Sequence, residues 1–156
     1  RGPNVMKGYL NNEEETMNAR MFDWHHTGDL GYWDEDGLLV FVDRKKDIIK
    51  TGGENIASVR VEGILLANEK IANVGVVGLP HERWIEAVTA FVQLKEGVEA
   101  TEEEIIEYCK ENLNKYEVPK SIVFLEMLPL TSTGKVQKHI LREQYKNLYN
   151  EAPTSS

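Results

Sequence analysis

Four cations, Arg44, Lys45, Lys46 and Lys50, stand beside Gly52-Gly53 in the stretch Asp43-Arg-Lys-Lys-Asp-Ile-Ile-Lys-Thr-Gly-Gly-Glu-Asn-Ile56, within a sequence of formal net charge −8. Positive charge next to glycines, which let a ligand approach the backbone closely, suits a phosphorylated or otherwise anionic partner. A solvated basic turn with a glycine bulge accounts for the same residues, and composition leaves both readings open. The second landmark is Pro129-Leu-Thr-Ser-Thr-Gly-Lys135. Its Gly-Lys pair invites comparison with a phosphate-binding P-loop, and the comparison fails. That loop needs glycine at 129 and Ser or Thr at 136, where this chain has Pro129 and Val136. What is left is a hydroxylated turn presenting one lysine ahead of a helix, in isolation a solvent-exposed lysine. His25 and His26 are adjacent, poorly spaced to chelate one metal together, and no other spacing predicts a metal site.

The elements that position these residues are readable from periodicity. Gly37–Val42 is predicted as a strand and Ile48-Ile49 as the core of a second, forming a hairpin with a basic turn. Val61, Ile64 and Leu65 fall at helical spacing and predict a helix from Ser58 to Asn68. Asn73–Pro80 reads as a strand, and Ala87–Leu94 as another with Val88, Ala90, Val92 and Leu94 on one face. Thr101-Glu-Glu-Glu104 has capping-box spacing and opens a helix burying Ile105, Ile106, Cys109 and Leu113. Ser121–Met127 is a third strand, and Leu141, Tyr145 and Leu148 mark a closing helix. This order predicts an α+β domain, an N-terminal hairpin followed by a central three-stranded sheet packed with helices. The aromatic-rich segment Trp24–Trp33 needs a partner surface, much of it expected to lie outside this sequence.

Length and composition bound the class. A chain of 156 residues that begins at Arg1 is expected to be one domain plus a fragment of something longer. No apolar run approaches the ~18 residues of a membrane span. The lone Cys109 excludes an internal disulfide and a Cys-based zinc site, as expected of a cytoplasmic protein. The acidic balance argues against binding nucleic acid through general charge.

Gly2-Pro-Asn-Val-Met-Lys-Gly-Tyr9, His26-Thr-Gly-Asp-Leu30, Val42-Asp-Arg-Lys-Lys-Asp47, Gly52-Gly-Glu-Asn-Ile56, Glu82-Arg-Trp84 and the loop ending at Lys135 are similar, in order and spacing, to motifs of the acyl-CoA synthetases. These are AMP-forming, adenylate-forming ligases related to luciferase and to peptide-synthetase adenylation domains. The resemblance implies that residues 1–42 are the tail of a large N-terminal domain, 43–150 the small mobile C-terminal domain and 151–156 a flexible tail. It implies a fatty-acid or other carboxylic-acid–CoA ligase that uses ATP, with its Mg²⁺, and CoA. The enzyme passes through an acyl-adenylate and releases AMP and diphosphate. The large domain of the same polypeptide is the implied partner, and the isolated fragment is expected to be inactive.

Roles carry over where the motifs match. Asp29 resembles the carboxylate that holds the ribose hydroxyls of AMP, and Arg44 the second ribose contact. Asp43 matches the hinge. Lys46, Lys50 and Asn55 fall where relatives contact nucleotide or pantetheine. Gly52 and Gly53 resemble a strand edge along which pantetheine threads, and Trp84 a residue packed against it. Tyr116 and Lys120 match a grip on the CoA nucleotide, with Glu117 and Val118 less suited to it. Lys135 matches the catalytic lysine of adenylation, a cation bridging carboxylate and phosphate. Ala57-Ser58 and Arg60 replace an aromatic-proline pair and a glutamate common in the family. Two alternatives are an adenylation domain that loads a carrier protein and a stand-alone interaction domain without catalysis.

Overall fold

A computed structural model describes residues 2–150; the tail expected at 151–156 lies outside the described residues. The chain divides into a first compact unit running to Lys46 and a second beginning at Asp47.

In the first unit, helix α1 (Glu13–Ala19) starts at Asn12, whose side chain accepts the Glu15 amide, with Glu13, Glu14 and Glu15 at the positive end of the helix dipole. Strands β1 (Asp29–Trp33) and β2 (Leu39–Arg44) then pair antiparallel. Asp34 builds their turn by accepting the Asp36 and Leu38 amides at 3.1 and 2.7 Å, while Gly37 takes φ +75°. Every residue of β1 is exposed, and so are Leu39 and Phe41 of β2.

The second unit opens with a hairpin, β3 (Ile49–Thr51) and β4 (Glu54–Ile56), closed by Gly52 and Gly53 at φ +56° and +90°. Positive φ at both central residues matches the type I′ turn, whose twist suits a two-residue hairpin. This corrects the expected pairing of 37–42 with Ile48-Ile49. The Asx turn at Asp34 directs β2 onto β1, and the Gly-Gly turn folds β3 onto β4.

Helix α2 (Ser58–Leu66) follows, then β5 (Ile71–His81) and β6 (Ile85–Leu94) in a long antiparallel pair. Helix α3 (Glu102–Asn112) is capped by Thr101 Oγ1, which accepts the Glu104 amide at 3.2 Å. It leads to β7 (Ser121–Phe124), parallel to β6. The last register pair is Val92↔Phe124, so β7 stops short of Met127 close to where β6 itself runs out at Leu94. Helix α4 (Lys138–Gln144) closes the unit.

Hairpin and three-stranded sheet are joined by the bridge Thr51↔Ile85 into one five-stranded sheet with β6 at its centre. Val74, Val76, Val88, Ala90 and Val92 face α2 and α3 in one core cluster with Val61, Leu65, Ile105 and Cys109. Val77, Leu79 and Phe91 turn the other way, onto Leu128 and Leu141. The sheet is therefore covered on both faces, and the α+β class read from the sequence is observed. Among the described residues no helix is long and apolar enough to cross a membrane.

Candidate functional site

The expected residues fall into one group in the first unit and two in the second. In the first, Asp29 and Arg44 are register partners at the open end of the β1–β2 ladder. Arg44 Nε lies 3.5 Å from Asp29 Oδ1, with the two side chains 56% and 39% exposed, so both charged heads remain available to a ligand. The turn before Asp29 is fixed locally: Thr27 Oγ1 accepts the Asp29 amide, and Gly28, at φ +76°, accepts the Lys45 amide through its carbonyl at 2.8 Å. Arg44, Lys45 and Lys46 line a groove of about 880 Å³ with Tyr9, His26 and Thr27. Asp43 is 1% exposed, and its Oδ1 accepts the Arg44 amide at 2.7 Å. The ladder is irregular beside it: Leu30 pairs with Asp43 but Gly31 with Phe41, leaving Val42 as the extra residue of a bulge.

In the second unit the hairpin carries Lys50 and Asn55 as register partners, both exposed. Gly52 and Gly53 form its turn, not an edge strand. The Gly52 amide donates to the Trp84 carbonyl at 2.9 Å, and a Cβ on Gly52 would meet the Trp84 ring at 3.2 Å. A Cβ on Gly53 would meet nothing within 4 Å, so this glycine faces open space. Lys120 Nζ sits 5.2 Å from the centroid of the Trp84 ring, and the Arg83 guanidinium 4.7 Å from it. Gly52, Trp84 and Lys120 are thus brought together as a glycine turn, an aromatic plate and a cation. Tyr116 is exposed and touches no ring among the described residues. Sequence reasoning missed Arg83, the second cation on Trp84, and Glu86, whose Oε2 accepts the Lys50 amide at 2.6 Å and fastens the hairpin to β6. Arg83 is the central residue of the Glu82-Arg-Trp84 motif, where a cation next to the aromatic was the signal; no local signal marks Glu86.

Arg60, expected to stand in place of a glutamate, and Glu117, expected to suit a CoA grip poorly, prove to be partners. Glu117, 6% exposed, accepts from Arg60 Nε at 2.7 Å and from the Asn114 amide at 2.9 Å. Both of its oxygens are committed to structure, and Val118 is core.

Lys135 lies on a loop braced against itself. Leu130 and Val136 form a bridge, the Thr131 amide donates to the Lys135 carbonyl at 2.8 Å, and the Lys135 amide donates to Thr131 Oγ1 at 3.1 Å. Gly134, at φ +81°, makes the reversal. Lys135 itself is exposed, and its ammonium has no hydrogen bond or ion pair among the described residues. Its backbone is fixed and its charge is free. Among the described residues no group of three or more His, Cys, Asp and Glu side chains is placed to share a metal ion.

Sequence and fold are similar to those of known proteins. Residues 60–135 match the family profile of the AMP-binding enzyme C-terminal domain. The chain belongs to the AMP-forming, adenylate-forming ligase superfamily and corresponds to the C-terminal part of its CoA ligases. It is 49% identical over 151 residues to a 2-methylpropanoate–CoA ligase of Humulus lupulus, covering 95% of this chain and 27% of that protein. To a 2-succinylbenzoate–CoA ligase of Bacillus cereus (strain Q1) it is 46% identical over 143 residues, covering 92% and 29%. Among solved structures it is similar to ATP-bound MatB from Rhodopseudomonas palustris, with 37% identity and a TM-score of 0.86 over 96% of this chain and 30% of that one. The chain therefore spans under a third of the length of these relatives.

Proposed function

We propose that this chain serves an AMP-forming carboxylic-acid–CoA ligase, in which ATP and a carboxylic acid give an acyl-adenylate and diphosphate, and CoA then gives the thioester and AMP. The observation that carries the reading is Lys135: a solvent-facing ammonium without a protein partner, on a loop whose backbone is fixed. In the first step an anionic carboxylate attacks the anionic α-phosphorus, and a positioned cation offsets their repulsion where charge develops. Asp29 and Arg44 suit the ribose, because a carboxylate can accept from both adjacent hydroxyls while the guanidinium donates beside it. Lys46 adds charge for the nucleotide. Mg²⁺ would arrive with ATP as part of the substrate and offset its phosphate charge.

In the second step the hairpin face takes the pantetheine arm. Gly53 leaves open space, Gly52 admits the Trp84 ring, and Lys50 and Asn55 flank the turn. Lys120 and Tyr116, on the same segment, extend this face toward the CoA nucleotide. A rotation about Asp43 exchanges the Lys135 face for the hairpin face, so that one site runs two reactions. The large domain completing that site is the proposed partner. Resemblance to named CoA ligases favours free CoA over a carrier protein as acceptor.

The test is product analysis with the full-length protein and a panel of carboxylic acids. Consumption of ATP should give AMP, diphosphate and acyl-CoA in equal amounts. Formation of ADP and phosphate, or acyl transfer to a carrier protein but not to CoA, would contradict the reading.

A further inference from the structure

Beside the Lys135 loop lies an ion pair between α4 and α2. Lys138, the first residue of α4, places Nζ 2.7 Å from Glu62 Oε1 and 2.7 Å from Ser58 Oγ, both on α2. The same Glu62 oxygen accepts the Val76 amide of β5 at 2.8 Å. Lys138 and Glu62 are only 13% and 15% exposed, so the pair is shielded from water on most sides. The neighbouring residue of β5 makes a second attachment. A Cβ on Gly75 would lie 2.8 Å from Val136 Cγ1 and 3.1 Å from Leu141 Cδ1, so this glycine is the notch into which the loop's stem and α4 settle. Between these anchors, Gln137 donates its amide to the Pro129 carbonyl and its side-chain Nε2 to the Leu130 carbonyl, both at 2.8 Å. The loop is stiff by its own hydrogen bonds; Leu128, buried against Val77, Leu79 and Phe91, holds its entry to the sheet, and Val136, Gln137 and Lys138 hold its exit, the side that carries Lys135.

We infer that Lys138, through Glu62, and Gly75 are positioning residues for Lys135: they mount its loop on β5 so that the ammonium is delivered at a fixed place in the adenylation step. This rests on the catalytic reading of Lys135 given above. A stabilising pair without a positioning role would act equally wherever it fastened α4, and the fold supplies that control. The same helix is held at its last turn by Arg142, whose Nη2 lies 2.7 Å from Asp47 Oδ1.

The experiment uses the full-length ligase with Lys138→Met, Lys138→Arg, Gly75→Ala and Arg142→Met, each measured separately for diphosphate release and for thioester formation from supplied acyl-adenylate. Misplacing a catalytic group by a fraction of an ångström to an ångström costs from about tenfold to a hundredfold. Lys138→Met and Gly75→Ala should therefore lower kcat for adenylation about tenfold or more, with KM for ATP and the thioester step close to wild type. Lys138→Arg should recover most of the loss, and Arg142→Met should leave adenylation within about threefold even where it lowers the Tm as much as Lys138→Met does. Equal losses in both half-reactions, or a loss in Arg142→Met matching that in Lys138→Met, would overturn the inference. If Lys138→Met does not fold, Gly75→Ala decides alone, since it leaves the ion pair in place. Lys135→Ala separates the two claims: if it spares adenylation the functional reading fails, and if it abolishes adenylation while Lys138→Met and Gly75→Ala do not lower it, only the mount is wrong.

Discussion

Cys109 shows how far one side chain's surroundings set its chemistry. It is fully buried on α3 within the core cluster under the sheet, and desolvation of the thiolate pushes the thiol up to about 11. The nucleophile is the thiolate, so the native protein should resist alkylation at pH 8 and react only after denaturant opens the core. Prompt labelling of the native protein would contradict this. The sign for stability follows: a pKa raised on folding means that the native state holds its proton more tightly. The contribution is full below the ordinary thiol value of 9 and is lost as pH rises from about 9 through about 11. Denaturant titrations should show this alkaline loss reduced in Cys109→Ala. Tyr149, raised by burial, loses stability in the same direction, so part of the slope should persist in that variant.

Elements were legible where one periodicity or one turn rule governed them. Helix α3 was readable from Thr101 and Glu104 with Ile105 and Cys109, and its cap is as spaced. Thr101→Ala should cost about 1 kcal/mol, read as a lower denaturant midpoint with unchanged slope. The alternation in β6 was readable too, although its second face is equally buried, because α4 packs where a solvated face could have been. Strand partnership was misread at β2 and β3. Apolar runs identify strands, but turns choose their partners, and Gly52-Gly53 between Ile49–Thr51 and Glu54–Ile56 was itself a hairpin signal. Both glycines have φ that other residues adopt at a cost. Gly53→Asn, which tolerates the left-handed region, should fold near wild type, whereas Gly53→Val should lose on the order of 1–2 kcal/mol by thermal unfolding. The mount of Lys135 was not legible at all. Lys138 and Glu62 meet only because α2 and α4 both dock near β5, and no local pattern records that meeting.

For the molecule as a whole, the proposed two-step reaction requires motion about Asp43. Its place beside a bulge, in a two-stranded sheet, is where a ladder yields and where proline is tolerated. Asp43→Pro should keep adenylation within about threefold while blocking the thioester step, because a φ held near −65° opposes rotation without removing a contact to ATP. A normal rate of thioester formation would show that the pivot lies elsewhere. The central claim is that Lys135 acts in one half of a two-step reaction, and separate half-reaction kinetics of Lys135→Ala in the full-length ligase test it most directly. Diphosphate release should fall at least a hundredfold, about 3 kcal/mol of lost transition-state stabilisation. Conversion of supplied acyl-adenylate to thioester should run at the wild-type rate. An equal loss in both steps, or none in the first, would contradict the account.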